Sequence, residues 1–165
     1  MIKPFKEHFD NCRLFLFNKH MPINDENELL EDFRQTCRRH GLRVTPQRVL
    51  IYRELIKSED HPSAEVLYER IGEDCPDISF DTVYRTLAAF DEMGLIDRVD
   101  GFGTSMRFDP NIGWHHHFKC RQCGLIMDFE SDSYKRAAIP KDITQNCEVL
   151  KLQVILEGFC KKCRK

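Results

Sequence analysis

His115-His116-His117-Phe118-Lys119-Cys120-Arg121-Gln122-Cys123-Gly124 is the stretch on which the reading of this chain turns, because it runs two kinds of metal donor together. Cys120 and Cys123 form a Cys-x-x-Cys pair, and Cys160-Lys161-Lys162-Cys163 repeats it near the end of the chain. Four thiolates presented by two reverse turns give zinc a closed tetrahedral shell with no open position, so the site they make is structural rather than catalytic. Gly124 suits the knuckle turn after Cys123. Arg121, Lys161 and Lys162 offset the negative charge of four thiolates on one Zn2+. Free thiols or disulfides are the competing reading of these pairs.

The histidines point to a second, harder metal. On a strand, His115 and His117 project to one face and His116 to the other. His115 and His117 are therefore the candidate ligand pair, and His116 is expected to face solvent or to support a ligand. Asp109 and Asp128, the latter on the neighbouring strand, can complete the shell. Nitrogen and carboxylate donors favour Fe2+ or Mn2+ over a thiolate-seeking metal, with zinc as a competitor. Taken singly, each of these residues reads more simply as an exposed polar side chain.

The chain has 165 residues, 41% of them hydrophobic, enough for one domain or two small ones with little core each. That scarcity makes a structural metal physically sensible. Its net charge of -2 gives no global attraction to nucleic acid, so any such surface must be local. Arg34, Arg38, Arg39, Arg43, Arg48 and Arg53 occur with no acidic residue between them and form that local candidate. A solvated helix face is the competing reading. Eight cysteines without a signal peptide or a membrane-length apolar run predict a reducing, cytoplasmic setting.

Working outward, the helical period and its caps predict a run of helices. Asn24 or Asp25 opens one with Leu29, Leu30, Phe33 and Cys37 on a single face, closed by Gly41. Thr45 and Pro46 start a second, in which Val49, Leu50, Tyr52, Leu55 and Ile56 keep the period. Ser63 caps a third with Val66, Leu67 and Ile71. Ser79 caps a fourth with Val83, Leu87, Phe90 and Met93, ended by Gly94. Strands Leu95 to Val99 and Ser105 to Phe108 follow, joined by the turn Asp100-Gly101-Phe102-Gly103. Helices followed by such a hairpin are the winged form of the helix-turn-helix.

After the linker Pro110-Asn111-Ile112-Gly113 the period becomes that of strands. Strands are expected at His115 to Lys119, Leu125 to Phe129 and Glu148 to Leu156, with a helix around Ser131 to Ala138. The predicted class is α+β: an N-terminal winged helix-turn-helix followed by a small α/β domain with an antiparallel sheet. Residues 1–24 form an extension, 25–109 the winged-helix DNA-binding domain, and 110–165 the zinc-containing dimerisation and metal-sensing domain.

In the fourth helix Val83 and Leu87 turn to the core, leaving Asp81, Thr82, Tyr84 and Arg85 on the opposite face. A helix that enters a major groove needs that division. Tyr84 and Arg85 are candidates for base contacts. Thr82, with Arg39, Arg43 and Arg48, is a candidate for backbone contacts. A surface ion pair of Arg85 is the competing reading.

Taken in order, Gly41-Leu42-Arg43-Val44-Thr45-Pro46-Gln47-Arg48, His61-Pro62-Ser63-Ala64, Thr82-Val83-Tyr84-Arg85, Arg107-Phe108-Asp109, His115-His116-His117, Cys120-x-x-Cys123-Gly124, Asp128-Phe129 and Cys160-x-x-Cys163 resemble the ferric-uptake regulator family of metal-dependent repressors. The resemblance runs from about Leu29 to Cys163. It implies a homodimer that binds double-stranded operator DNA, one structural Zn2+ per subunit on the four cysteines, and one regulatory Fe2+ or Mn2+ per subunit. It adds His61 to Asp109, His115, His117 and Asp128 as the regulatory ligands, and implies that a metal clasped there sets the orientation of the reading helices. Iron sensors of the family usually carry Glu at Asp128 and peroxide sensors Asp, so Asp128 leans to the peroxide-responsive branch, whose bound Fe2+ reacts with peroxide and oxidises a ligand histidine. His61 and His115 are the candidates by resemblance. Arg85 follows the iron-sensor habit instead. A further site of many iron sensors is lost, its Glu and His falling at about Lys135 and Leu152, which cannot ligate.

Iron or zinc uptake regulation within the same family is the nearer alternative. A zinc hydrolase using His115, His117 and a carboxylate, or a metal-storage protein, is the alternative from another class. Cys37, Cys75 and Cys147 are expected to be buried small apolar residues.

Overall fold

The computed structural model describes residues 24–100, 106–135 and 138–164. The N-terminal extension falls almost wholly outside them, as do Cys12 and the turn residues Gly101, Phe102 and Gly103.

Four helices open the described chain: α1 (Asn24–Arg39), α2 (Pro46–Lys57), α3 (Ala64–Gly72) and α4 (Phe80–Glu92). The side chains of Thr45, Ser63 and Ser79 accept the backbone N–H of Arg48, Val66 and Thr82, satisfying a donor that the first turn leaves unpaired. Gly94, at φ +68, lets the chain leave α4 in the left-handed region. Leu30, Phe33 and Cys37 from α1 meet Tyr52 and Leu55 from α2, Leu67 and Ile71 from α3, and Val83, Leu87 and Phe90 from α4 in one buried cluster. Phe33 stacks on Tyr52 at 4.6 Å and meets Phe90 edge-on at 5.4 Å. Ile51, fully buried beside them, falls between the residues on which the helical period was read.

Strands β1 (Asp97–Asp100) and β2 (Met106–Asp109) pair antiparallel and close this core through Phe108. Both are displaced by a residue or two from the stretches of strand propensity. Beyond the linker, β3 (His116–Cys120), β4 (Ile126–Phe129) and β5 (Ile155–Gly158) form a sheet in the order β4-β3-β5. β3 and β4 are antiparallel, but β3 and β5 are parallel, so the expectation of an antiparallel sheet is corrected to a mixed one. The reason is the long connection through α5 (Asp132–Lys135) and α6 (Lys141–Asn146), which returns the chain to the starting end of β3. Of the strand expected from Glu148 to Leu156 only the last two residues are in β5. Residues 147–154 run alongside without regular ladder pairing, apart from His117 N–H donating to the Val154 carbonyl at 3.1 Å.

Two polar links reach β1, one from Lys119 of β3 and one from Lys151 in the segment before β5. Lys119 is buried and donates to the carbonyl of Asp100, and Lys151 pairs with Asp97 at 2.5 Å. No described helix is long and apolar enough to cross a membrane.

Candidate metal centres

The parallel pairing of β3 and β5 places Cys120, the last residue of β3, level with Gly158 and hence beside the turn that carries Cys160 and Cys163. An antiparallel β5 would have sent that turn to the far end of the sheet. Each turn is tied by its own backbone. Gly124 N–H donates to Cys120 O at 2.9 Å, with Gly124 at φ +72, and Cys163 N–H donates to Cys160 O at 2.9 Å. The four Sγ atoms lie within 4.8 Å of one another, and Cys123 and Cys160 are 3.8 Å apart. Tetrahedral Zn–S bonds of ~2.3 Å set sulfurs ~3.8 Å apart, whereas a disulfide needs ~2.0 Å. The thiol of Cys120 is lowered to about 6 by the backbone N–H groups of Cys123 and Cys160 directed at it, while hydrogen bonding to Cys160 and burial push Cys163 up to about 12. Four thiols at this spacing cannot all ionise without a cation between them. The donor set fits zinc.

A second cluster bridges the helical part and the sheet. His61 stands just before α3, Asp109 ends β2, His115 immediately precedes β3, His117 lies near the start of that strand, and Asp128 sits opposite His117 on β4. His61 Nε2 is 2.8 Å from Asp128 Oδ1 and 3.4 Å from Asp109 Oδ2. His117 Nε2 is 3.2 Å from Asp109 Oδ2 and 3.5 Å from Asp128 Oδ1. His115 Nε2 joins at the edge, 2.8 Å from Asp109 Oδ2 and 2.9 Å from His117 Nε2. Donors ~2.1 Å from one ion stand ~3.0–3.4 Å apart, so the spacings suit a shared cation. His61 Nε2 and Asp128 Oδ1 are buried without a well-directed hydrogen bond, which a cation between them would satisfy. The residues fit a nitrogen/oxygen metal shell.

The backbone is built to hold His61 there. It is the single non-glycine residue with positive φ among the described residues, at +48, a strained conformation that neighbours must enforce. Arg107 donates to its carbonyl at 3.4 Å, and Phe108 N–H donates to the Pro62 carbonyl at 3.0 Å. His61 is thereby fastened to β2, next to Asp109. His115 is oriented by Nδ1 bonding to the Gly113 carbonyl at 2.9 Å, and His117 by Nδ1 facing the Gln153 amide at 3.1 Å. Neither partner was identified from sequence, because a backbone carbonyl and a lone glutamine carry no spacing signature.

His116 departs from expectation. It is fully buried rather than solvent-facing, among the rings of Trp114 at 4.4 Å, Tyr134 at 5.2 Å and Phe129 at 5.4 Å. Its Nδ1 accepts the Val154 N–H at 3.2 Å, so Nε2 holds the ring proton and no lone pair is free for a metal. Burial, and then the charges of His115 and His117, push its pKa down. Cys147 is exposed rather than buried, whereas Cys37 is buried and Cys75 packs against the core.

Among the residues expected to meet DNA, Tyr84 is half exposed and its ring lies 6.3 Å from that of Phe80. Arg85 is exposed and reaches Asp81 at 3.5 Å. Thr82 Oγ1 bonds Ser79 Oγ at 2.8 Å. The basic run is divided. Arg34 and Arg38 approach Glu31, and Arg53 meets Glu26, while Arg39 bonds Thr36 and Arg48 bonds the Arg43 carbonyl.

Burial alone would depress His61, but the Asp109 and Asp128 carboxylates outweigh it and raise its pKa from 6.5 to about 9. Burial alone would raise Asp109, but hydrogen bonds from His115, His117 and His61 outweigh it and hold its carboxyl well below the usual carboxylate range. A folded value above the unfolded one means that protonated His61 stabilises the fold fully below pH 6.5 and ceases to as pH rises through about 9. For protein lacking the second metal, the melting-temperature gap between the unaltered chain and His61→Ala should therefore narrow as pH rises from 6.5 to beyond 9. A gap that stays constant over that range contradicts the assignment. Cys120→Ser should lose the structural zinc in metal analysis together with ordered sheet signals in NMR; full zinc retention would contradict the four-cysteine site.

Comparison with known proteins gives a consistent picture. The model of the Ferric uptake regulator family matches residues 39–156. The Peroxide-responsive repressor PerR of Staphylococcus aureus is 34% identical over 139 residues, covering 84% of this chain and 93% of that one. A solved structure of the Ferric uptake regulator from Pseudomonas aeruginosa with manganese has a TM-score of 0.64 at 30% identity, covering 78% of this chain and 97% of that chain. The Helicobacter pylori ferric uptake regulator, at 21% identity and TM-score 0.71 over 85% of this chain and 94% of that one, shares the fold.

Proposed function

The chain belongs to the ferric uptake regulator family, and from that premise we propose that it is a homodimeric, metal-dependent repressor of transcription that senses peroxide with Fe2+ or Mn2+ as corepressor. One observation carries the reading: His61 and Asp109 from the helical part converge with His117 and Asp128 from the sheet on a space that suits one cation, with His115 at its edge beside Asp109 and His117. The manganese in the Pseudomonas aeruginosa relative and the nitrogen and carboxylate donors support Fe2+ or Mn2+ there, and the spacing of the four sulfurs supports Zn2+ on the cysteines.

In this reading, residues 25–109 are the winged-helix DNA-binding domain and 110–165 the dimerisation and sensing domain. α3 and α4 form the helix-turn-helix, with β1 and β2 as the wing. Tyr84 and Arg85 meet bases, and Thr82, Arg39, Arg43 and Arg48 meet phosphates. The half-exposed Tyr84 ring and the exposed Arg85 support this use of α4. Dimerisation is supported by β5, an edge strand with Ile155 and Leu156 exposed on opposite faces, and by Leu150, in the segment before it, at 85% exposure.

The chain's own groups account for switching. His61 and Asp109 move with the helical part, and the other three ligands with the sheet. A cation held by both sets removes the relative freedom of the two parts and favours the spacing of two reading helices that one operator needs. Fe2+ held there would supply reducing power toward hydrogen peroxide, with oxygen added to an adjacent histidine. His61 and His115 are the residues placed for that addition. Asp128 in place of Glu, and the PerR relative, favour peroxide over iron sensing. His116, with its lone pair used and its ring enclosed, supports one regulatory ion per subunit.

Operator binding is expected to require Mn2+ in the unaltered protein and to be lost in His61→Ala at every Mn2+ concentration, measured by gel shift on its own promoter with zinc content unchanged. Metal-dependent binding by His61→Ala would contradict the proposal. Tryptic mass spectrometry after Fe2+ and peroxide should find one added oxygen at His61 or His115; unmodified histidines with unchanged DNA binding would reject peroxide sensing.

A further inference from the structure

We propose that Gln153 is a positioning residue that decides which ring nitrogen of His117 carries the proton, by turning its side-chain amide over when the site takes up a cation. The inference deepens the metal-centre reading above and rests on it.

A ring nitrogen that holds a metal must present a lone pair, so the other nitrogen of the same ring must keep the proton. His115 has no choice in this. Its Nδ1 faces the Gly113 carbonyl, a fixed acceptor at 2.9 Å, so Nδ1 keeps a proton with or without a cation and Nε2 is the nitrogen turned to Asp109, at 2.8 Å. His117 is different, since its Nδ1 faces the side-chain amide of Gln153 at 3.1 Å. An amide carries an acceptor and two donors on one pivot, and a half-turn exchanges them.

Each orientation completes a different set of bonds. With the NH2 group toward the ring, Gln153 donates to Nδ1, the ring proton sits on Nε2, and Nε2–H donates to Asp109 Oδ2 at 3.2 Å. That arrangement pairs both nitrogens of the His117 ring with no cation present. With the carbonyl toward the ring, Nδ1–H donates to Gln153 and the Nε2 lone pair faces Asp109 and Asp128. That arrangement needs a cation. One proton leaves Nε2 and one arrives at Nδ1, so the exchange at His117 releases none.

The chain holds Gln153 where it can act. Its neighbour Val154 accepts the N–H of His117 at 3.1 Å and donates its own N–H to His116 Nδ1 at 3.2 Å. Lys151 is tied to Asp97. Residues 151–154 are thus clamped along the histidine end of β3, with the Gln153 side chain on the His117 ring.

The test uses the full chain with its structural zinc retained, and reads two quantities. Long-range nitrogen spectra of histidine-labelled protein report the tautomer of His117, with the second site empty or filled with excess Zn2+ as a diamagnetic probe. Electron spin resonance of free Mn2+ reports affinity. In the unaltered protein the His117 proton is expected on Nε2 when the site is empty and on Nδ1 when it is filled. Gln153→Glu, an acceptor alone, should hold the proton on Nδ1 in both states and bind Mn2+ at least as tightly. Gln153→Leu, with neither group, should weaken Mn2+ binding by about 10- to 100-fold. Mn2+ binding by Gln153→Leu equal to the unaltered protein would overturn the proposal, as would Gln153→Glu weakening as far as Gln153→Leu. Should Gln153→Leu lose its zinc or fold, Gln153→Met, unbranched and closer to glutamine in length, takes its place with the same expectation. No Mn2+ uptake by the unaltered protein would instead sink the metal-centre reading itself.

Discussion

Two carboxylates and three imidazoles share a space largely closed to water, with Asp128, 28% exposed, at its open side. Asp109 is 1% exposed and His117 is fully buried. In such surroundings these groups need either protons or a cation to offset one another. The metal-free answer is visible in the directions of the pKa shifts, with His61 and His115 held toward protonation and Asp109 and Asp128 toward ionisation. A divalent ion held there would replace those protons with one centre of charge. Because the donors come from α3's leading loop, the end of β2 and two strands of the sheet, whatever fills the space also fixes how these elements sit together.

β3 is the ruler that couples this space to the zinc site. Its first residues carry His116 and His117, and its last residue is Cys120, so the two donor sets are separated by a rigid strand of ~10 Å. The parallel return of β5 is what places the second cysteine pair at that end. The edge of β3 opposite β4 is therefore filled by the same segment that brings Gln153 to His117 and Cys160 to Cys120. In the proposed reading, a closed four-thiolate site at one end would steady the strand that carries the regulatory ligands at the other.

Much of this was legible in the sequence because it rests on local chemistry. The Ser and Thr caps, the apolar faces of the four helices and the paired cysteines each depend on residues close in the chain, and each is found where spacing put it. The alternation of His115 and His117 toward one space with Asp128 opposite was also readable from strand geometry. His61 was reachable only through family resemblance, since its left-handed backbone and its contact with the sheet are products of tertiary structure. The direction of β5 failed because strand propensity carries no sense of orientation, and that direction was decided by the long crossover through α5 and α6. His116 was misjudged because alternation names the opposite face without saying what covers it; here Trp114, Phe129 and Tyr134 do. Lys119 shows the same limit, a lysine buried because a carbonyl of β1 waits for it.

The central claim is that one ion is bound at once by the helical part and by the sheet. Pulsed electron spin resonance of Mn2+ in protein carrying nitrogen-labelled histidine counts the imidazoles bonded to the ion and, with His61 selectively replaced, identifies them. Three coupled ring nitrogens in the intact chain, one of which vanishes with His61, is the result this account predicts. A spectrum unchanged by the loss of His61 would contradict it.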